Sequence, residues 1–167
     1  MIRRLEPSDA PAYREVRLRG LREHADAFTS SYEEESIKPV ATTEARLASG
    51  SHDAVWGAFA DGRLVAVAGL GREARAKARH KATLFGMYVA PEYRGHGVGV
   101  ALVERIVAAA REHPDLEQIV LTVTDTNQDA TALYERMGFR SFGIEPRAIR
   151  ADGTYYGKNH MILLLAP

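Results

Sequence analysis

The stretch Tyr93-Arg94-Gly95-His96-Gly97-Val98-Gly99-Val100 sets the tightest limit on what this chain can fold into. It joins a run that reads as a β-strand, Thr83 to Ala90, to an apolar helix from Val98 to Glu112. Three alternating glycines stand where that helix must begin. A residue without Cβ lets backbone N–H groups turn outward and approach a ligand closely. The first N–H groups of a helix have no intrahelical partner and lie at the positive end of its dipole. A joint of this kind invites a phosphate or pyrophosphate.

The flanking sequence supplies the rest of a mixed α/β unit. Ile2 to Leu5 reads as a short strand, and Ser8-Asp9-Ala10-Pro11 as a helix start with an early proline. Val16, Leu18 and Leu21 give that helix an apolar stripe. The stretch from Asp26 to Val40 is less regular, and a further helix is expected from Thr42 to Ala48. Val55 to Ala60 and Leu64 to Leu70 flank Asp61-Gly62, a hairpin turn pair. Ile119, Leu121 and Val123 alternate with more polar neighbours, as in a strand. Asn127 can cap a helix reaching Met137, with Gly138 as its stop. Phe139 to Ile149 and Tyr155 to Leu165 close the chain as two strands around Asp152-Gly153. No repeat or linker interrupts residues 1–167, so one domain is expected.

Two familiar phosphate-binding patterns do not fit. A dinucleotide fold places Gly-x-Gly-x-x-Gly at its first βα turn, whereas here three antiparallel-type strands precede Gly95, Gly97 and Gly99. A Walker loop needs Lys-Ser/Thr at the helix start, where this chain has Val100-Ala101. A second pattern lies downstream. Asn127, Ala130 and Tyr134 are spaced by three and four, so they share a helix face. An amide, a small residue and a phenol thereby line up over two turns, about 10 Å at the helical rise of about 1.5 Å per residue.

Together these residues make the chain resemble the GCN5-related N-acetyltransferase (GNAT) superfamily. Arg94-x-x-Gly97-x-Gly99 matches its pyrophosphate loop, and Asn127-x-x-Ala130-x-x-Leu133-Tyr134-x-x-x-Gly138-Phe139 its downstream motif. Ala82-Thr83-Leu84-Phe85 through Val89-x-Pro91-x-Tyr93 is similar to the strand before that loop in ribosomal-protein N-terminal acetyltransferases. The resemblance implies a central, mostly antiparallel mixed sheet of six to seven strands flanked by four helices, splayed between the fourth and fifth strands. It implies acetyl-CoA as co-substrate, with no metal. The backbone of Met87, Tyr88 and Val89 would pair with the pantetheine arm. The amides of Gly95, His96, Gly97, Val98, Gly99 and Val100 would hold the pyrophosphate, with Arg94 shaping the turn or adding charge. Asn127 would bond the pantetheine or nearby backbone, and Ala130 would let the ligand lie close. Tyr134 would be the general acid for the departing thiolate, although a tyrosine on an amphipathic helix can equally be a core-edge residue.

The general base departs from the relatives' pattern. Those acetyltransferases carry a glutamate immediately ahead of Ala-Thr-Leu-Phe, where this chain has Lys81. A lysine of ordinary pKa cannot accept an amine's proton near neutrality. Glu33, Glu34, Glu35, His80 and His160 are the remaining candidates for base or acceptor contact, and the acceptor could also arrive neutral. Phe28 and Tyr32 could form an aromatic wall of the acceptor pocket, with Tyr155 near it. The ordinary alternative for Ser30 to Glu35 is a helix start, capped by Ser30 or Ser31 with glutamates favoured by the dipole.

Composition narrows the partners. Hydrophobic residues make up 46% of the chain and the formal net charge is zero, so bulk electrostatics favours neither nucleic acid nor an acidic membrane. The absence of cysteine excludes disulfides, thiolate metal sites and a cysteine nucleophile. The basic run from Arg72 to Lys81 has no interleaved aromatics and reads as a solvated face. No apolar leader or run of about 18 apolar residues occurs, and a cytoplasmic location is expected. The acceptor expected is a small-molecule primary amine. A protein N-terminus, a longer acyl donor, or an acyl-CoA sensor without turnover are the alternatives. A homodimer through an edge strand is also compatible with the sequence.

Overall fold

In a computed structural model, described over residues 1–166, one seven-stranded sheet carries every helix. The elements run β1 (Ile2–Arg4), α1 (Ala10–Glu23), α2 (Tyr32–Ser36), α3 (Val40–Leu47), β2 (Asp53–Ala60), β3 (Arg63–Arg72), β4 (Lys81–Val89), α4 (Val98–Glu112), β5 (Gln118–Thr124), α5 (Gln128–Arg136), β6 (Arg140–Ala151) and β7 (Thr154–Leu164). Strand order is β1-β2-β3-β4-β5-β7-β6, antiparallel throughout except for the parallel pair β4 and β5. Five helices flank the sheet. The shortest, α2, is the helix start that Ser30 or Ser31 offered in a stretch whose sequence shows no regular period. Ser31 and Glu34 build it with a reciprocal capping box, the side chain of each accepting the other's backbone N–H at 3.1 Å.

Helices cover both faces. Leu102, Val103, Ile106 and Val107 of α4 are buried against Ala66, Ala68, Leu84, Ile119 and Leu121, which gives the larger core. Tyr13 of α1 and Leu47 of α3 pack with Val55, Val67 and Tyr88 on the opposite face. β3 is covered on both sides, which is why Val65 to Leu70 reads as an unbroken apolar run.

The parallel pair is short. Only Lys81, Ala82 and Thr83 of β4 pair with Gln118, Ile119 and Val120 of β5. Both strands continue, β4 to Val89 and β5 to Thr124, without pairing to each other. The sheet therefore opens into a gap. A β-bulge accompanies it: Val67 to Gly69 on β3 faces Phe85 to Tyr88 on β4, one residue longer, and Gly86 takes φ +62° there. An isolated glycine inside a strand pattern is the usual mark of such a bulge, so this feature was readable in the sequence.

Candidate active site

The loop at the mouth of the gap is shaped by left-handed backbone. Gly95 and Gly97 both have φ +77°, and Gly97 is the N-cap residue of α4. A Cβ added to either would meet nothing within 4 Å, so the space beside this 15-residue helix is open to a ligand. Residues 94–97 are exposed. Arg94 turns inward instead of outward: its Nε donates to the Val89 carbonyl at 2.9 Å, and its Nη2 lies 3.0 Å from His24 Nε2. Its contact is with the strand end, so it fixes the turn. A side chain at Gly99 would run into Met87 Cε at 3.0 Å and Leu133 Cδ1 at 3.2 Å, which locks the first turn of α4 against β4 and α5.

On β4 the side chains divide between the faces. Met87 and Val89 pack into the α4 core, while Tyr88 is buried under α1. Tyr88 donates its hydroxyl to Glu23 at 2.8 Å. Burial, with Glu23 adding to it, pushes the phenol up to about 12. Glu23 also binds Arg19, which reaches Glu92 at 2.6 Å, so a small network ties α1 to the loop after β4.

Asn127 is the N-cap of α5, its side-chain carbonyl accepting from Ala130 N at 3.1 Å. Tyr134 is buried, with its ring edge-on to Phe139 at 5.8 Å between centroids. Burial alone raises its pKa well above that of a free tyrosine, and the phenol is protonated at neutral pH.

Several candidate bases and pocket residues lie elsewhere than expected. His80 and Lys81 sit at the closed end of the gap, where β4 still pairs with β5. Eight residues separate Lys81 from Val89, about 26 Å at about 3.3 Å per residue. Glu34 is spent on the α2 cap, Glu33 is exposed, and Glu35 binds Lys38 at 2.8 Å. Tyr32 faces outward to Arg22, which donates to its hydroxyl at 2.8 Å. Tyr155 is 47% exposed under Arg147 and Arg150, and strand alternation turns it to the face opposite Lys158.

His160 is the candidate that reaches the correct face. Ile119, Leu121 and Val123 point into the α4 core, so Thr122 and Thr124 point to the α1 side. His160 pairs with Thr122 and Lys158 with Thr124, and paired residues share a face. His160 Nε2 lies 3.2 Å from Glu145 Oε2. Glu145 has no sequence motif of its own, and only the β6–β7 register brings it beside the histidine.

Lys158 was not foreseen either. Its Nζ donates to Thr124 Oγ1 at 3.1 Å and to the Ala27 carbonyl at 3.3 Å, and Thr124 donates to the Asp26 carbonyl at 2.6 Å. The pair fastens the α1–α2 loop onto the end of β5 and the middle of β7. Burial lowers the lysine's pKa from its ordinary 10.5, partly offset by Asp26. In that window the unfolded chain holds a proton that the folded one has released, so stability rises with pH until 10.5 is passed. Lys158's contribution is conversely lost as pH falls through its folded-state value. Thermal unfolding followed as pH rises towards 10.5 should show wild type gaining stability relative to Lys158→Met. Parallel curves for the two proteins would refute the assignment.

The fold thus sets a glycine-rich helix start beside the opening of a splayed parallel strand pair. A model of the acetyltransferase (GNAT) family matches residues 18–139, and the chain belongs to that family, whose members use acetyl-CoA. It is 34% identical over 73 residues to the thialysine N-epsilon-acetyltransferase of Sus scrofa, covering 38% of this chain and 42% of that protein. The chain spans less than half the length of the curated relatives it matches. A GNAT-family acetyltransferase from Streptococcus pneumoniae superposes with TM-score 0.87 at 24% identity, over 99% of both chains. The yncA structure from Salmonella typhimurium, with its cofactor acetyl-CoA, superposes with TM-score 0.82 at 22% identity, over 100% of this chain and 94% of that one. Among the described residues no helix is long and apolar enough to cross a membrane.

Proposed function

We propose that this chain is an acetyl-CoA-dependent N-acetyltransferase acting on a primary amine of a small molecule, by direct attack in a ternary complex. One combination carries the reading: the left-handed Gly95–Gly97 loop follows β4 where it has ceased to pair with β5, and Tyr134 is a buried phenol on the helix that follows β5. The loop amides would hold the pyrophosphate, and the unpaired length of β4 would take the pantetheine as a further strand. The amine nitrogen attacks the thioester carbon from the α1 side. As the carbon–sulfur bond breaks, Tyr134 gives its proton to the sulfur. His160, oriented by Glu145, takes the amine's proton directly or through water. The porcine relative's name gives it the side-chain amine of thialysine as acceptor, which supports a small-molecule amine here.

The test is CoA thiol release with a panel of primary amines, for wild type and His160→Ala. The variant should lose about 10²-fold in kcat/KM, the usual worth of a positioned base, while acetyl-CoA affinity holds. Glu145→Gln should fall between the two. Equal rates for wild type and His160→Ala would remove His160 from the reaction and favour an acceptor that arrives neutral. Binding of acetyl-CoA without turnover of any amine would favour a sensor.

A further inference from the structure

Arg17 is the one charged side chain of the acceptor face whose placement the proposed chemistry leaves unexplained. It sits in the middle of α1 and lines a cleft between that helix and the α2–α3 pair, together with Arg14, Arg46, Lys38 and Glu35. Its neighbours among these are already engaged. Arg14 donates to the Ser36 and Lys38 carbonyls, Arg46 binds Asp53 at 3.2 Å, and Lys38 binds Glu35. Arg17 Nε is buried with no partner among the described residues. Leaving a buried charged donor unmade is costly, and a ring contact with Phe28, 5.3 Å from its centroid, and the charge of Glu35 offset it in part. The cleft is cationic on balance, with four basic side chains against one carboxylate. Although burial alone would raise it, the Glu35 carboxyl stays below its ordinary pKa because Lys38, Arg17 and Arg46 surround it.

The position of Arg17 ties this cleft to the gap. Its Nη1 lies 3.3 Å from where a Cβ on Gly86 would stand, so the guanidinium rests against the β4 bulge. Gly86 is three residues from Val89, about 10 Å along the strand at about 3.3 Å per residue. A molecule lying against the unpaired length of β4 beside Gly86 would present an anion to Arg17 and an amine to the gap.

We infer that Arg17 is the anion subsite for the acceptor, and that the acceptor is an amino acid with a free carboxylate. This rests on the transferase reading and narrows it. The planar guanidinium would bind the carboxylate through charge-assisted hydrogen bonds, which supply the missing partner of Nε or its neighbouring nitrogens. Phe28, packed on the same guanidinium, would hold it at the proper angle.

The experiment compares the standard amino acids with their α-carboxamides, which lose the anion, with rates corrected for the fraction of neutral amine in each. Turnover is read as CoA thiol release, and binding by calorimetry on protein loaded with CoA. Wild type should prefer the acid over its matched amide by at least about ten-fold in kcat/KM, the usual weight of a charged hydrogen bond. Arg17→Met should abolish that preference, and Arg17→Lys, which keeps the cation without its fork, should retain part of it. A melting curve for each variant excludes misfolding, with the lysine variant decisive if the methionine variant does not fold. Amides used as well as acids, or a preference that survives in Arg17→Met, would overturn the inference. Acids that bind the CoA-loaded protein through Arg17 without being acetylated would uphold the subsite and refute the transferase reading. Binding of neither acid nor amide would overturn the subsite.

Discussion

Tyr134→Phe should lower kcat by about 10²-fold or more while leaving the fold intact, because a positioned general acid contributes about 10² to 10⁴. The substitution removes one oxygen and little else. Tyr134 packs edge-on to Phe139, and phenylalanine preserves that contact. Its pKa is raised by burial alone, with no hydrogen bond contributing, so no internal partner is orphaned. The cost in stability should therefore stay under about 1 kcal/mol. Steady-state kinetics and a denaturation curve on the same preparation separate the two effects. A thioester with a more acidic thiol needs less help in leaving, so the deficit should shrink with such a donor. A variant as active as wild type would leave Tyr134 as a core-edge residue.

The second large effect is expected at Gly97. Its φ of +77° is left-handed, where an L-residue costs about 1–2 kcal/mol and a β-branched one more. Gly97→Val should therefore deform the turn into α4, and its side chain would enter the space where no atom lies within 4 Å of the added Cβ. Acetyl-CoA affinity should fall by at least about ten-fold, equivalent to about 1.4 kcal/mol. The core beneath the loop is built by Leu102, Val103 and Ile106, so the fold should survive about 2 kcal/mol or more of strain with a melting drop of about 4–8 °C. Calorimetric titration with acetyl-CoA checks this. An unchanged affinity would detach the loop from the pyrophosphate.

What the sequence disclosed, and what it hid, follows from the range of the interactions. Gly95, Gly97 and the Asn127-to-Tyr134 stripe act through local geometry, a φ angle or a helical spacing, and a linear reading recovers them. So do the β2–β3 hairpin and the caps of α4 and α5. The five residues of α2, between Tyr32 and Ser36, are too few to show a period, but the Ser31 cap and the first-turn glutamates marked its start. Lys158, Glu145 and Arg17 were missed altogether. Each acquires its meaning from partners far away in the chain: Ala27 for Lys158, His160 for Glu145, and Gly86 for Arg17. The place of Lys81 at the paired end of the gap is of the same kind, since it depends on where β4 and β5 cease to pair. The bulge at Gly86 lies between these cases, since the glycine announces it and only the β3 register explains it.

The central claim is that an acetyl group passes directly from acetyl-CoA to an amine between β4 and β5. The most direct measurement incubates the protein with carbon-labelled acetyl-CoA and an amino acid acceptor, then follows the label by mass spectrometry in both the amine and the intact protein. The account predicts label on the amine nitrogen, none on the protein, and loss of the labelled product in Tyr134→Phe. Label retained on acetyl-CoA despite measurable binding, or transferred to the protein itself, would contradict it.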